Sequence, residues 1–354
     1  MSIPESVLRE APSIAVAQVT KDDAPRIVVA GMSDLASGRP ATARTAYHWF
    51  SMTKLVTATA VVQLADRGIL DLDSTVGAIY PPFAQLIPTE FSSRVTVRHL
   101  LSHSSGLANP IPVSWVHAAD EPGPDPERFV AELLRRHRRL RFAPGARASY
   151  SNLGYLVLGQ AIVRTARISF EEYVRRNILE PLSMSRTGFS VLSKEEADDA
   201  TGYHARLSWS RPFLRFLVPS NVRGPVDGRF VSFRPFAVHG AAYGGLVGSV
   251  EDAARFLQTH LRDGEIGGSR ILSERATREM RVVSTMGRRF DLGLGWFRPA
   301  RSRHDVPAFV EHIGGGLAYF ADMRAYPAEG SGVVVMGNST RFDYESVIRG
   351  TREP

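Results

Sequence analysis

Ser51 and Lys54 stand three residues apart at the head of an apolar run, Trp49-Phe-Ser-Met-Thr-Lys-Leu55, that reads as the start of a helix closed by Gly68. At i,i+3 spacing a hydroxyl and an amine share one helix face and come within reach of each other. A serine is a weak nucleophile at its own pKa and needs a neighbouring base, which a desolvated, neutral lysine supplies. The N–H groups of a first helical turn lack intrahelical partners and favour negative charge developing at that hydroxyl. Lysine is scarce in this chain: Lys21, Lys54 and Lys194 are the three among 43 basic residues. Of these, Lys54 alone lies in an apolar helix beside a serine.

Two other groups of residues could join that pair. Tyr150-Ser151-Asn152 opens a second apolar helix, and His312-Ile313-Gly314-Gly315 opens a glycine-rich strand. A tyrosine hydroxyl can exchange protons with Ser51 and Lys54 and pass one to a leaving group. Asn152 can orient an acyl side chain or hold the lysine, and a backbone N–H at the glycines can complete an oxyanion hole with that of Ser51. His99 and His103, four apart, have a spacing that suits a metal ion. No third ligand is apparent, so packing or hydrogen-bonding histidines are expected, with no metal and no cofactor. The chain has no Gly-x-Ser-x-Gly elbow, no His-Glu-x-x-His and no phosphate-binding glycine loop leading into a helix.

The elements that must position these residues come from an ordinary globular composition. The 354 residues are 44% hydrophobic and 22% charged, enough for a sizeable core. The absence of cysteine excludes disulfides, thiolate catalysis and cysteine–zinc sites. A net charge of +7 is carried by dispersed arginine, without a basic run interleaved with stacking aromatics, so no nucleic-acid partner is expected. No apolar run approaches the roughly 18 residues of a spanning helix, and no basic segment followed by an apolar one stands at the N-terminus. A cytoplasmic location is the expectation. Residues 205–238, where Trp209, Phe213, Phe216, Phe230, Phe233 and Phe236 interleave with arginine and proline, read as a loop that covers a site, makes weak contact with a membrane surface or packs its aromatics on the body.

Short β-rich runs at 13–20 and 26–31 predict a hairpin. Helices are predicted from Pro126 to Leu140, from Ser149-Tyr-Ser-Asn152 through Arg164, and over Ser169 to Leu179, Ser249 to Leu261 and Ser273 to Val282, with a short one within 94–107. Strands are predicted at 292–296, 308–312, 317–326 and 332–336. Two β-rich ends flank a helical middle, which predicts one domain over 1–354, with an α/β lobe from 1–70 and 240–354 and a helical lobe over 71–239.

In order and spacing these pieces resemble the serine β-lactamase and penicillin-binding superfamily, in its class C β-lactamase, D,D-peptidase and family VIII esterase branch. The resemblance runs through Phe50-Ser-Met-Thr-Lys54, Leu100-Leu-Ser-His-Ser-Ser-Gly-Leu107, Tyr150-Ser-Asn152, Gly244-Gly-Leu246 and Glu311-His-Ile-Gly-Gly-Gly316. It implies an α/β (α+β) fold, an antiparallel sheet flanked by helices plus an all-helical lobe, with the site between them. It also implies Ser51 as the acylated nucleophile, Lys54 and Tyr150 sharing the acid/base work, and Gly315 as the second oxyanion donor. A closing C-terminal helix after Asn338 follows from it too.

The third motif departs from the Lys-Thr-Gly or Lys-Ser-Gly of the β-lactamases: His312-Ile313-Gly314 offers neither a fixed cation nor a hydroxyl for a substrate carboxylate. The substrate expected is therefore a small ester or amide without a free carboxylate. D-alanyl-D-alanine carboxypeptidase-like or weak β-lactamase activity on a β-lactam stays open, as does a catalytically idle ligand-binding protein. If His312 titrates in turnover, the rate should change between about pH 5.5 and 7.5. Nothing in the sequence speaks to oligomeric state.

Overall fold

Both faces of Ser13–Thr20 (β1) are covered, which is why its sequence is an almost unbroken apolar run rather than an alternating one. The computed structural model describes residues 3–110, 112, 115–189, 198–208, 218–305 and 307–352. β1 turns back into Arg26–Asp34 (β2), followed by the two-residue Arg39–Pro40 (β3). The remaining strands of this sheet come from the end of the chain: Phe290–Leu292 (β4), Phe297–Pro299 (β5), Val310–Gly316 (β6), Tyr319–Tyr326 (β7) and Ser331–Gly337 (β8). The order is β4-β5-β6-β7-β8-β1-β2-β3, antiparallel throughout, so β1 and β8 knit the two chain ends together with Val16 opposite Val335.

On one face lie Thr53–Asp66 (α1) and Val250–Leu261 (α4), the latter packed on β1 and β8. On the other, the closing helix Tyr344–Arg352 (α5) packs Val347 and Ile348 against Ile14, Val16 and Val335. A buried ion pair fastens it, with Arg324 on β7 bonded to Glu345 of α5 and to Glu311 of β6. Helix α1 is buried almost all round, because Asn152–Ala166 (α3) and the short turn of helix Ala241–Gly244 close over the side that the sheet leaves open.

The middle of the chain is not helix alone. Val116–Ala118 pairs with Phe236–Val238, and Tyr203–Ala205, Phe230–Phe233 and Arg223–Asp227 form a small three-stranded sheet. The expectation of a loop over 205–238 is corrected accordingly: Phe230, Phe233 and Phe236 point inward and are buried, so none of the three is available to a membrane surface. Trp209, Phe213 and Phe216 lie outside the described residues. Among the described residues, no helix is long and apolar enough to cross a membrane. The strand predicted at 292–296 is instead the end of β4 and the glycine turn that leads to β5.

The contact that places strand against nucleophile turn is a close approach at Gly314. A Cβ there would stand 1.9 Å from the Trp49 carbonyl oxygen and 2.9 Å from the Met52 nitrogen. Both neighbours are backbone, which cannot rotate aside. Gly314→Ala should therefore push β6 off the turn at Ser51, lowering stability by about 1–3 kcal/mol and lowering turnover with it. Urea denaturation and ester hydrolysis on the same preparation check both, and unchanged turnover would show that the strand's distance from Ser51 does not matter.

Candidate active site

A short 3-10 turn, Phe50–Met52, precedes α1 and carries Ser51, so the i,i+3 relation to Lys54 spans the junction of turn and helix. Lys54 Nζ lies 3.0 Å from Ser51 Oγ and donates to the Tyr243 carbonyl oxygen at 2.7 Å. The rings of Tyr150, Tyr155 and Tyr243 surround the amine at 5.0, 5.6 and 5.3 Å. Among the described residues no carboxylate bonds to it; burial holds its pKa well below the ordinary lysine value. Ring faces favour a cation by about 0.5–2 kcal/mol each and oppose the several kcal/mol an unpaired buried charge costs. Burial is the dominant effect and lowers the pKa of the amine that faces Ser51 Oγ.

Tyr150 stands before the N-cap of α3. Burial raises the pKa of its hydroxyl, with the Ser51 side chain working in the opposite direction. Its oxygen is 3.4 Å from His312 Nε2. His312 is fully buried, and its Nδ1 donates to the Gly295 carbonyl at 2.6 Å, which leaves Nε2 as the acceptor facing Tyr150. Burial, then Lys54, lower its pKa to about 3.

Ser51, Asn152, Tyr243, Gly315 and Gly316 share the wall of a cavity of 450 Å³ with Phe50, Val116, Leu317, His204 and Thr340. No side chain of Asp, Glu, Lys or Arg lines it among the described residues. Gly315 thus shares the cavity wall with Ser51, and the Asn152 side-chain oxygen is buried without a partner. Gly314 and Ile313 are not among the lining residues. Gly314 lets the strand pack on Trp49, and Ile313 joins apolar clusters with Phe290 and Phe297.

Both histidines four apart spend Nδ1 on the backbone, His103 accepting the Ser151 N–H at 3.1 Å. His99 Nδ1 accepts the Thr96 N–H at 3.2 Å in a capping box, and no group of metal-holding side chains occurs among the described residues. The sequence offered no sign of the Tyr243 and Gly295 carbonyls, since backbone acceptors leave no mark in residue type.

The sequence profile of the family described as Beta-lactamase matches residues 7–352. The chain belongs to the beta-lactamase family. Its members are serine hydrolases of small acyl substrates, and the beta-lactamase-like fold is the one described above. The D-alanyl-D-alanine-carboxypeptidase/endopeptidase AmpH of Escherichia coli K12 is 24% identical over 82% of this chain and 71% of its own length. Penicillin-binding protein 4 of Amycolatopsis lactamdurans is 27% identical over 87% of this chain and 75% of its own. The octameric penicillin-binding protein homologue of Pyrococcus abyssi superposes with a TM-score of 0.72 at 27% identity, over 93% of this chain and 70% of that one. The D-amino acid amidase of Ochrobactrum anthropi SV3 shares the fold, with a TM-score of 0.76 at 20% identity over 99% of this chain and 97% of that one.

In this beta-lactamase-family site burial disfavours the His312 cation, so a change of rate between about pH 5.5 and 7.5 is not expected from it. The folded value lies below the unfolded one near 6.5. The preference for neutral His312 therefore stabilises the fold fully above pH 6.5 and is lost as pH falls from there towards 3. Imidazole NMR should show the His312 ring neutral, protonated on Nδ1, down to about pH 4; a midpoint near 6.5 would contradict this.

Proposed function

We propose that Ser51 is the nucleophile of an esterase that hydrolyses small carboxylic esters, or amides, carrying no free carboxylate next to the scissile bond. Ser51 Oγ attacks the carbonyl carbon while its proton passes to Lys54 or Tyr150, which share it. The N–H groups of Ser51 and Gly315 receive the oxyanion. A neutral Tyr150 takes the serine proton only while handing its own to Lys54; as the bond to the leaving alcohol or amine breaks, Tyr150 gives a proton to the leaving group and regains one from the Lys54 ammonium. Water then attacks the acyl-enzyme along the same path and releases the acid.

The observation that carries the choice of substrate is the state of His312. Its Nδ1 is bound to Gly295, its Nε2 faces Tyr150, and burial keeps it neutral, so it offers no cation to a substrate carboxylate. The uncharged lining of the cavity agrees with a neutral substrate. A second reading, D,D-carboxypeptidase-like cleavage, draws on the activity named for the Escherichia coli relative. It would need another anchor for the terminal carboxylate. Exposed Arg341, next to Thr340 and close enough to act on His204, is the candidate.

Intact-protein mass spectrometry after fluorophosphonate treatment, with p-nitrophenyl butyrate hydrolysis in parallel, tests the proposal. One adduct on the wild type, none on Ser51→Ala and loss of turnover are expected. Faster cleavage of a D-alanyl-D-alanine peptide than of any ester, abolished in Arg341→Ala, would replace the esterase reading with the second.

A further inference from the structure

We infer that His103 is the positioning residue for Tyr150, holding the tyrosine's backbone and ring in the place where it can meet Ser51, Lys54 and His312. This rests on the role proposed above for Tyr150. His103 grips the chain on both sides of that residue: its carbonyl accepts the Ser149 N–H at 2.8 Å, and its Nδ1 accepts the Ser151 N–H at 3.1 Å. Its ring lies against the Tyr150 ring at 4.3 Å between centroids, and against that of Tyr155 at 4.9 Å. Carbonyl, ring nitrogen and ring face thus act on one tyrosine from three directions.

The backbone conformation makes this grip possible. His103 has φ of 49°, in the left-handed region that a side chain other than glycine enters at a cost. Of the six non-glycine residues with positive φ among the described residues, Phe50, just before Ser51, and Leu317, on the cavity wall, are two others at this site. Packing alone would not require the strain, since an apolar residue of ordinary φ fills a core position. Nor is the histidine fully satisfied: its Nε2 is buried with no partner, although the Nδ1 bond assigns that nitrogen the proton. The neighbouring stretch continues the same rack. Ala108 O accepts from Ser151 Oγ at 2.8 Å, and Asn109 Oδ1 accepts the Asn152 N–H at 3.0 Å.

A double-mutant cycle with p-nitrophenyl butyrate separates positioning from bulk stability. His103→Phe keeps a ring and removes the acceptor. It should lower kcat between roughly 10- and 100-fold, the range expected for a misplaced reacting group, with KM little changed. In a Tyr150→Phe background the same substitution should cost less than about twofold, because there is no hydroxyl left to position. His103→Asn puts an amide oxygen near the lost Nδ1 and tolerates positive φ; it should regain most of what His103→Phe loses. Should His103→Phe not fold, His103→Asn carries the cycle through its own smaller loss, which must likewise vanish in Tyr150→Phe. Wild-type kcat in the His103 variants, or losses that multiply in the double variant, overturn the inference alone. Wild-type kcat in Tyr150→Phe overturns the role of Tyr150 and the inference with it.

Discussion

The structure turns on one cation-forming group buried with no anion to pair it. Lys54 sits in the first turn of a helix that is enclosed on every side, its Nζ among three tyrosine rings and bonded to a backbone carbonyl. A carboxylate at hydrogen-bond distance would fix the ammonium and remove the base. A watery setting would leave the pKa where it is in a free lysine. The arrangement observed does neither, and the chemistry proposed for Ser51 follows from that balance.

Much of the surrounding architecture keeps that environment closed. The two chain ends join in the sheet through β1 and β8, which puts β6 across the turn at Ser51, and Gly314 allows contact at backbone distance. Glycine at 295 has φ of 86° and turns its carbonyl to His312, fixing the imidazole as a neutral acceptor beside Tyr150. From the other side α3 and the Ala241–Gly244 turn bring Tyr150, Tyr155 and Tyr243 around the amine. Behind the sheet this region also buries Glu311 and Asp322 around Arg324, which bonds Glu311 and Glu345 and stands 3.6 Å from Asp322. Burial pushes the Glu311 carboxyl up to about 7 even so, which is the same desolvation felt by Lys54 acting on a group of opposite sign.

The hairpin, the helix after Ser51 and the strands of the C-terminal third were legible because local patterning and turn residues carry them. The burial of α1 was less so. Leu55, Ala58, Val62 and Ala65 suggest a one-sided helix, whereas Thr53, Thr57 and Thr59 are equally buried: the Thr53 hydroxyl accepts the Leu246 N–H, and those of Thr57 and Thr59 meet carbonyls and a histidine. Residues 205–238 read as a loop because proline, glycine and arginine break the alternation of period two; Arg223–Asp227 and Phe230–Phe233 form a local hairpin, but Phe236–Val238 pairs with Val116–Ala118, which no local window contains. The identities of Ser51, Lys54, Tyr150, Asn152 and His312 were visible as types and spacings. What the backbone does was not: the Tyr243 and Gly295 carbonyls and the left-handed turn at His103 belong to conformation, and sequence records conformation poorly outside glycine and proline.

With lysine at only three positions, Lys54 can be observed directly. Carbon-13 labelling at Cε and NMR titration of the wild type beside Lys54→Arg would assign its resonance by difference. The account predicts a midpoint well below the ordinary lysine value near 10.4, so that the amine is substantially neutral where the enzyme works. A resonance that moves only near pH 10.4 would mean that Lys54 is an ammonium in the folded protein and cannot be the base for Ser51.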